Sequence, residues 1–310
     1  MKILLLGAQG QVGWQLRRSL AVVGEVIALH RESPEMAIDL SRPQTLVDAI
    51  RAVRPDVIVN AAAYTAVDRA EAEREAAFAI NAHACEVLAG EARASGAWLV
   101  HYSTDYVFDG SGTTPWRETD QTAPINTYGE SKLAGEQAVM QGTDRHIVLR
   151  CSWVFDTWGQ NFLKSILRAA AQKESLNIVC DQWGAPTRAA LIADVTAHIV
   201  ARLRPSHLPA QAGLYHLAPT GETNWHEYAS FAIAHALACG MPLKATPATV
   251  LPIPAAQYPV AAPRPANSRL DTTRLRATFG LALAPWQDGV REVVAELAAA
   301  GAQGNKSGKD

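Results

Sequence analysis

Short apolar runs alternate with longer amphipathic stretches through the first half of the chain. The runs Ile3–Leu6, Val26–Leu29, Val57–Asn60, Trp98–Tyr102 and Ile147–Arg150 predict strands. Between them, apolar positions at helical spacing predict helices over Gln11–Val22, Gln44–Val53, Val67–Ala94 and Thr127–Met140. Strands separated by helical lengths imply βαβ units and a parallel sheet covered on both faces. Right-handed crossovers then give a doubly wound Rossmann-type sheet in an α/β fold, expected over residues 1–150. Its ligand crevice lies at the carboxyl ends of the strands.

After Arg150 the pattern loosens. Helix-like segments at Asn161–Gln172, Ala189–Leu203 and Trp225–Ala238 are split by short strands near Leu176–Cys180 and Leu214–Leu217. These predict a smaller C-terminal α/β substrate domain over 151–300, with some segments free to return to the first domain. From Leu251 to Pro265 the residues Pro252, Pro254, Pro259, Pro263 and Pro265 exclude regular helix or a central strand. A linker is the bland reading. The apolar helix expected at Gly289–Ala300 makes an ordered loop pinned between elements an equal alternative. The tail 301–310 is expected to fray.

Composition narrows the function classes. Of the 310 residues, 48% are hydrophobic and 19% charged, as in a folded soluble protein. The formal net charge of -2 gives no footprint for nucleic acid. No apolar stretch approaches the ~18 residues of a membrane span, and Ile3–Leu6 is too short for a signal sequence. Cys85, Cys151, Cys180 and Cys239 are widely spread, without metal spacing. They read as free thiols, and the expected location is the cytoplasm.

Gly7-Ala-Gln-Gly10-Gln-Val-Gly13 follows the first strand and opens the first helix. That context suits a dinucleotide: Gly7 for the tight turn, Gly10 for backbone approach to the pyrophosphate, Gly13 for close packing. Three glycines in an ordinary strand–helix turn are the alternative. Where an NAD-binding unit often carries an acid, this chain has His30-Arg31. An arginine can pair with a ribose 2′-phosphate, which favours NADPH; a solvated loop arginine is the competing reading. Asn60-Ala61-Ala62-Ala63 ends the third strand with small residues that let the chain pass close to a cofactor, and Tyr64 and Thr65 follow.

Tyr128-Gly-Glu-Ser-Lys132 places a phenol and an ammonium on one helix face. Thr127 and Glu130 form a plausible capping box. Carbonyl reduction needs a proton donor, and a nearby ammonium draws a phenol's pKa towards neutrality. Lys132 can also hold the nicotinamide ribose. A lone pair of this kind recurs by chance. Here, however, His101-Tyr-Ser-Thr104-Asp105 ends the fourth strand at the same sheet edge, and the Thr104 hydroxyl can bond a substrate keto oxygen.

Across nearly its full length the chain resembles the dTDP-4-dehydrorhamnose reductases, a family of extended short-chain dehydrogenases. The matching stretches are GAQGQVGWQL, RPDVIVNAAAYTAVDRAE, VHYSTDYVFDG, Tyr128–Glu136, RCSWVF, DQWGAPT, GLYHLAPTGETNW and RPANSRLDTTRL. The resemblance implies reduction of a dTDP-linked 4-keto-6-deoxy sugar, with Tyr128 as proton donor, Lys132 supporting it and Thr104 tuning the site. It implies cofactor contacts at Gly10, Gln11, Val12, His30, Asp39, Leu40, Ala63, Tyr64, Thr65 and Tyr102, and it allows NADH beside NADPH. Substrate contacts fall at Thr104, Asp105 and Trp153, with Tyr106 adjoining them. Arg264, Asn267 and Ser268 would close over the diphosphate. Trp153 as core packing and Arg264 as a solvated residue are the bland alternatives. Some family members dimerise through Mg²⁺ at positions matching Gln15, Ala190 and Glu292; only Glu292 is acidic here. One carboxylate is a poor site for a hard cation, so no metal is expected, and monomer or homodimer stays open.

Two rivals share the scaffold. A nucleotide-sugar dehydratase or epimerase would carry Glu after Thr-Asp, where this chain has Tyr106. A non-catalytic regulatory subunit would often lack Tyr128 or Lys132.

Overall fold

The structure is a computed structural model that describes residues 1–34, 36–203 and 211–304. Five parallel strands, β1 (Lys2–Leu6), β2 (Glu25–Leu29), β3 (Val57–Asn60), β4 (Trp98–Thr104) and β5 (His146–Cys151), share one sheet with Gly213–Leu217. The spatial order is Gly213–Leu217, β5, β4, β3, β1, β2. Alternation along β1 explains the double winding. Ile3 and Leu5 face one apolar layer with Leu16, Leu20, Ile192 and Ile199. Leu4 and Leu6 face the other, with Leu46, Ile50, Leu88 and Val139.

The first layer is closed by helix α1 (Gln11–Ser19) and by Ala189–Val200, which pack on each other. Helix α2 (Pro43–Val53) and the helices Ala84–Ser95 and Thr127–Gly142 close the second. A separate apolar cluster joins Phe155, Leu163, Leu167, Tyr228, Ile233, Trp286 and Val290, forming the core of the smaller lobe.

Four expectations change. The strand near Leu214–Leu217 is not part of the smaller lobe; it pairs with β5 and becomes the sheet's edge. The single helix over Val67–Ala94 is broken into Val67–Ala70, Arg74–Phe78, a π turn at Ala79–His83 and Ala84–Ser95. The π turn lets Asn81 reach sideways. Its amide serves the main chain of Tyr64 in both directions and donates to Ser131 at 3.0 Å. The capping box on Thr127 and Glu130 does not form: the cap is Asn126, whose side chain accepts from the Gly129 N–H, and Glu130 pairs with Arg74. The last helix runs from Trp286 to Gly304, so the first part of the expected tail is helical, while residues 305–310 lie outside the described residues.

The proline-rich segment is an ordered strap. Val250–Ile253 pairs in parallel with Leu176–Val179 as a two-stranded edge. Beyond it, Asn126 donates to the Pro263 carbonyl at 2.8 Å, and Asp68 accepts from the Ala262 N–H and pairs with Arg264.

Candidate active site

The glycine loop closes on the sheet by contact too tight for any side chain. Gly7 sits at φ +76°, and a Cβ there would lie 2.5 Å from the Ala62 nitrogen; one on Gly13 would lie 2.0 Å from the Gly7 carbonyl oxygen. At Gly10 the nearest such neighbour is 3.4 Å away, so that side of the loop stays approachable. Helix α1 has no side-chain cap and no acid in its first turn, so its free N–H groups with Gln11 and Val12 suit a pyrophosphate. Ala61, Ala62, Ala63 and Tyr64 line the end of β3 half-buried, with Thr65 exposed. The His30 ring meets Gln9 at 3.1 Å, and Arg31 is exposed close enough to Asp39 to lower its carboxyl pKa. The Asp39 carboxylate accepts from both N–H and hydroxyl of Ser41, and Leu40 beside it is buried. These residues fit a phosphorylated dinucleotide.

Thr104 ends β4, and its hydroxyl donates to Asp105 Oδ1 at 3.2 Å while accepting from the Tyr106 N–H. The Tyr128 phenol reaches the Thr104 hydroxyl, and its ring meets Tyr106 edge-on at 5.7 Å between centroids. Burial pushes the phenol above its ordinary value of 10.0; the Thr104 bond opposes this and Asp105 adds to it. Asp105 is buried, its Oδ2 has no partner among the described residues, and burial pushes its carboxyl up to about 7. Lys132 does not set the phenol's balance here. Its Nζ donates to the Tyr102 carbonyl at 2.6 Å and meets His101 Nε2 at 3.4 Å. The Tyr102 hydroxyl itself is spent on Thr196 at 2.8 Å.

Trp153 faces the same edge from beyond β5. It sits at φ +47°, a conformation that costs a bulky residue on the order of 1–3 kcal/mol. Trp225 holds it by stacking at 3.7 Å, and Gly184 leaves room for its ring, since a Cβ there would come within 2.8 Å. Ser268 bonds Asp105 and adjoins Gly184. Arg264 is nearby but is engaged by Asp68 at 2.8 Å. Asn267 is not turned to the crevice: it donates to the carbonyls of Ser111 and Thr114 and accepts from Arg269. At the positions weighed for a metal, Gln15 and the Ala190 N–H both donate to Asp156, and Glu292 pairs with Arg188.

Sequence reading passed over four residues near the site. Trp158 stacks on Trp14 at 4.1 Å and donates to the Gln9 carbonyl at 2.8 Å, while Asn161 donates to Gln11 Oε1 at 2.9 Å. Trp225 and Gly184 fix Trp153. Only the GLYHLAPTGETNW and DQWGAPT stretches signalled the last two.

A phenol and an amine one helical turn apart, at the sheet edge that carries the glycine loop, define a reductase of the extended short-chain dehydrogenase class. Comparison with known proteins carries this further. A family model described as the RmlD substrate binding domain matches residues 1–299. The dTDP-4-dehydrorhamnose reductase of Salmonella typhimurium is 48% identical over 297 residues, spanning 96% of this chain and 98% of its own. The enzyme of the same name from Escherichia coli K12 matches equally, at 48% over 297 residues. A crystal structure of dTDP-4-dehydrorhamnose reductase from Bacillus anthracis in complex with NADP superposes with a TM-score of 0.85 at 31% identity, covering 95% of this chain and 99% of that one. The chain belongs to the dTDP-4-dehydrorhamnose reductase family.

Proposed function

We propose that this protein reduces the C4 keto group of dTDP-6-deoxy-L-lyxo-4-hexulose to give dTDP-L-rhamnose, with NADPH as the preferred reductant, in the cytoplasm. The observation that carries the reading is the Tyr128 hydroxyl against Thr104, at the carboxyl edge of the sheet that bears the glycine loop. The residues Gly7–Gly13 would hold the pyrophosphate, Arg31 the 2′-phosphate, Asp39 and Leu40 the adenosine, and Ala61–Thr65 the inner face. When bound, the reduced nicotinamide supplies the hydride.

The chain's own groups manage the oxygen and the proton. Thr104 hydrogen-bonds the keto oxygen as charge develops on it. Tyr128 gives its phenolic proton to that oxygen, leaving a phenolate. Trp153 presents an apolar face to the sugar ring, and the unpartnered Asp105 Oδ2 is placed for a sugar hydroxyl.

The test is an assay of the purified chain with the dTDP-4-keto-6-deoxy sugar and NADPH or NADH. Stoichiometric loss of reduced nicotinamide is expected, faster with NADPH, and Arg31→Ala should raise KM for NADPH more than for NADH. Recycling of a bound nicotinamide without net consumption would identify a dehydratase or epimerase instead.

A further inference from the structure

Behind the catalytic helix, side chains from separate elements meet in the interior: Asn60 at the end of β3, Cys85 on Ala84–Ser95, His101 in β4 and Lys132. Each is at most 2% exposed. Their hydrogen bonds can be oriented from the main chain outward. The Ala62 N–H can only donate, and it lies 3.2 Å from Asn60 Oδ1. The Asn60 amide is thereby turned so that Nδ2, which can only donate, faces His101 Nδ1 at 3.2 Å. Nδ1 therefore accepts. Burial keeps the imidazole neutral, well below its ordinary pKa, so its one proton resides on Nε2. That Nε2 lies 3.4 Å from Lys132 Nζ. An N–H cannot hydrogen-bond an ammonium, which has no lone pair; it can bond an amine, whose own N–H still donates to the Tyr102 carbonyl.

We propose that Asn60 and His101 form a tautomer lock, in which His101 is a positioning residue that presents Nε2–H to Lys132 and holds its amine uncharged in the resting enzyme. The groups facing Lys132 from its surroundings leave this intact. Burial pushes the Cys85 thiol up to about 11 and raises that of Cys151 in β5, so both stay protonated. Glu136, one turn further along the same helix, is paired with Arg150. Burial of Lys132 itself acts in the same direction, lowering its pKa.

The consequence rests on the reductase reading. When Tyr128 gives its proton to the keto oxygen, a phenolate forms, and an amine poised this way takes up a solvent proton and restores the phenol. The proton that the net reduction consumes then enters at Lys132. In the resting enzyme kcat/KM should fall tenfold per pH unit above the titration of Lys132.

The tautomer can be read without turnover. Ring-nitrogen shifts of the full-length, ¹⁵N-histidine-labelled protein are recorded between about pH 6 and about pH 9, the range in which an ordinary histidine loses its charge. The His101 signals are assigned by their loss in His101→Gln. A neutral Nε2–H ring is expected throughout; a neutral Nδ1–H ring or a charged one overturns the proposal. The second measurement is the pH profile of kcat/KM. A glutamine carbonyl at position 101 can accept from an ammonium, and Asn60→Ala frees the ring to switch tautomer. Both variants should move the descending limb up by about one pH unit, the size of shift one hydrogen bond to the charged form produces. A uniform drop in kcat/KM with the limb unmoved would mean that His101 only packs, and would sink the idea. Failure of the wild-type chain to reduce the keto sugar would sink the reductase reading and leave the tautomer measurement standing.

Discussion

At the scale of single residues, Tyr128 and Asp105 show how burial assigns different protonation states to neighbouring groups. The phenol is kept protonated by burial and by Asp105, which suits a donor. Tyr128→Phe should lower kcat by about 10²–10⁴-fold while leaving NADPH affinity, read by fluorescence titration, within a factor of two or so. Asp105 has a folded-state pKa of about 7 against an ordinary 3.8. Its sign is the reverse of a paired carboxylate's. Between those values the unfolded chain loses this proton first, so the native state is destabilised as pH rises through the interval and carries the full cost above about 7. Asp105→Asn should remove that slope. Urea midpoints at about pH 5 and about pH 8 should lie closer together in the variant than in the wild type. Tyr128, Thr104 and Lys132 were legible in the sequence because their order and spacing along βαβ units locate them at one edge. The direction of the phenol's shift was not, because it depends on where the Lys132 amine turns, and that is decided by His101 and the Tyr102 carbonyl.

At the scale of elements, periodicity found the strands of the sheet but not the details that aim side chains. The helix after β3 read as continuous because its apolar spacing persists through Ala77, Ala84, Leu88 and Ala92, all buried. Nothing in that spacing reports the π turn, which exists to turn Asn81 towards Tyr64 and Ser131. The catalytic helix packs on it so closely that a Cβ at Gly135 would lie 1.8 Å from the Asn81 carbonyl oxygen. Gly135→Ala must push the two helices apart. We expect a loss of about 1–3 kcal/mol in urea unfolding, together with a fall in kcat, since Tyr128 and Lys132 ride on the displaced helix. Asn126 is the matching case for a helix start. Asn126→Ala removes the cap on Gly129 and the bond to Pro263 and should cost about 1–2 kcal/mol. The cap was misread as Thr127 because its neighbour Glu130 has the capping-box spacing, while the real partner of Glu130 is Arg74, remote in sequence.

For the whole molecule, the smaller lobe reaches back over the glycine loop through the segment that follows Val154–Phe155. Asp156 is buried and accepts from Gln15; Asn161 holds Gln11; Trp158 lies flat on Trp14 and bonds the Gln9 carbonyl. The clasp thus grips the residues that would bind a pyrophosphate, so loop order and lobe docking are one equilibrium. Sequence patterns do not show such a link, since its partners lie far apart along the chain and each side chain alone reads as an ordinary loop residue. An aromatic stack contributes about 0.5–1.5 kcal/mol and a hydrogen bond about 1 kcal/mol. Their loss in Trp158→Ala should therefore weaken NADPH binding by about tenfold, equivalent to ~1.4 kcal/mol. At a ligand concentration near 100 times the wild-type dissociation constant, NADPH should stabilise the wild type by about 2.7 kcal/mol and the variant by roughly half of that. Thermal unfolding with and without NADPH reads the difference directly. Trp158→Phe keeps the stack and loses the indole N–H, and should fall between the two. Equal stabilisation of all three proteins by NADPH would mean that the clasp supports the fold alone and leaves the phosphate loop to order itself.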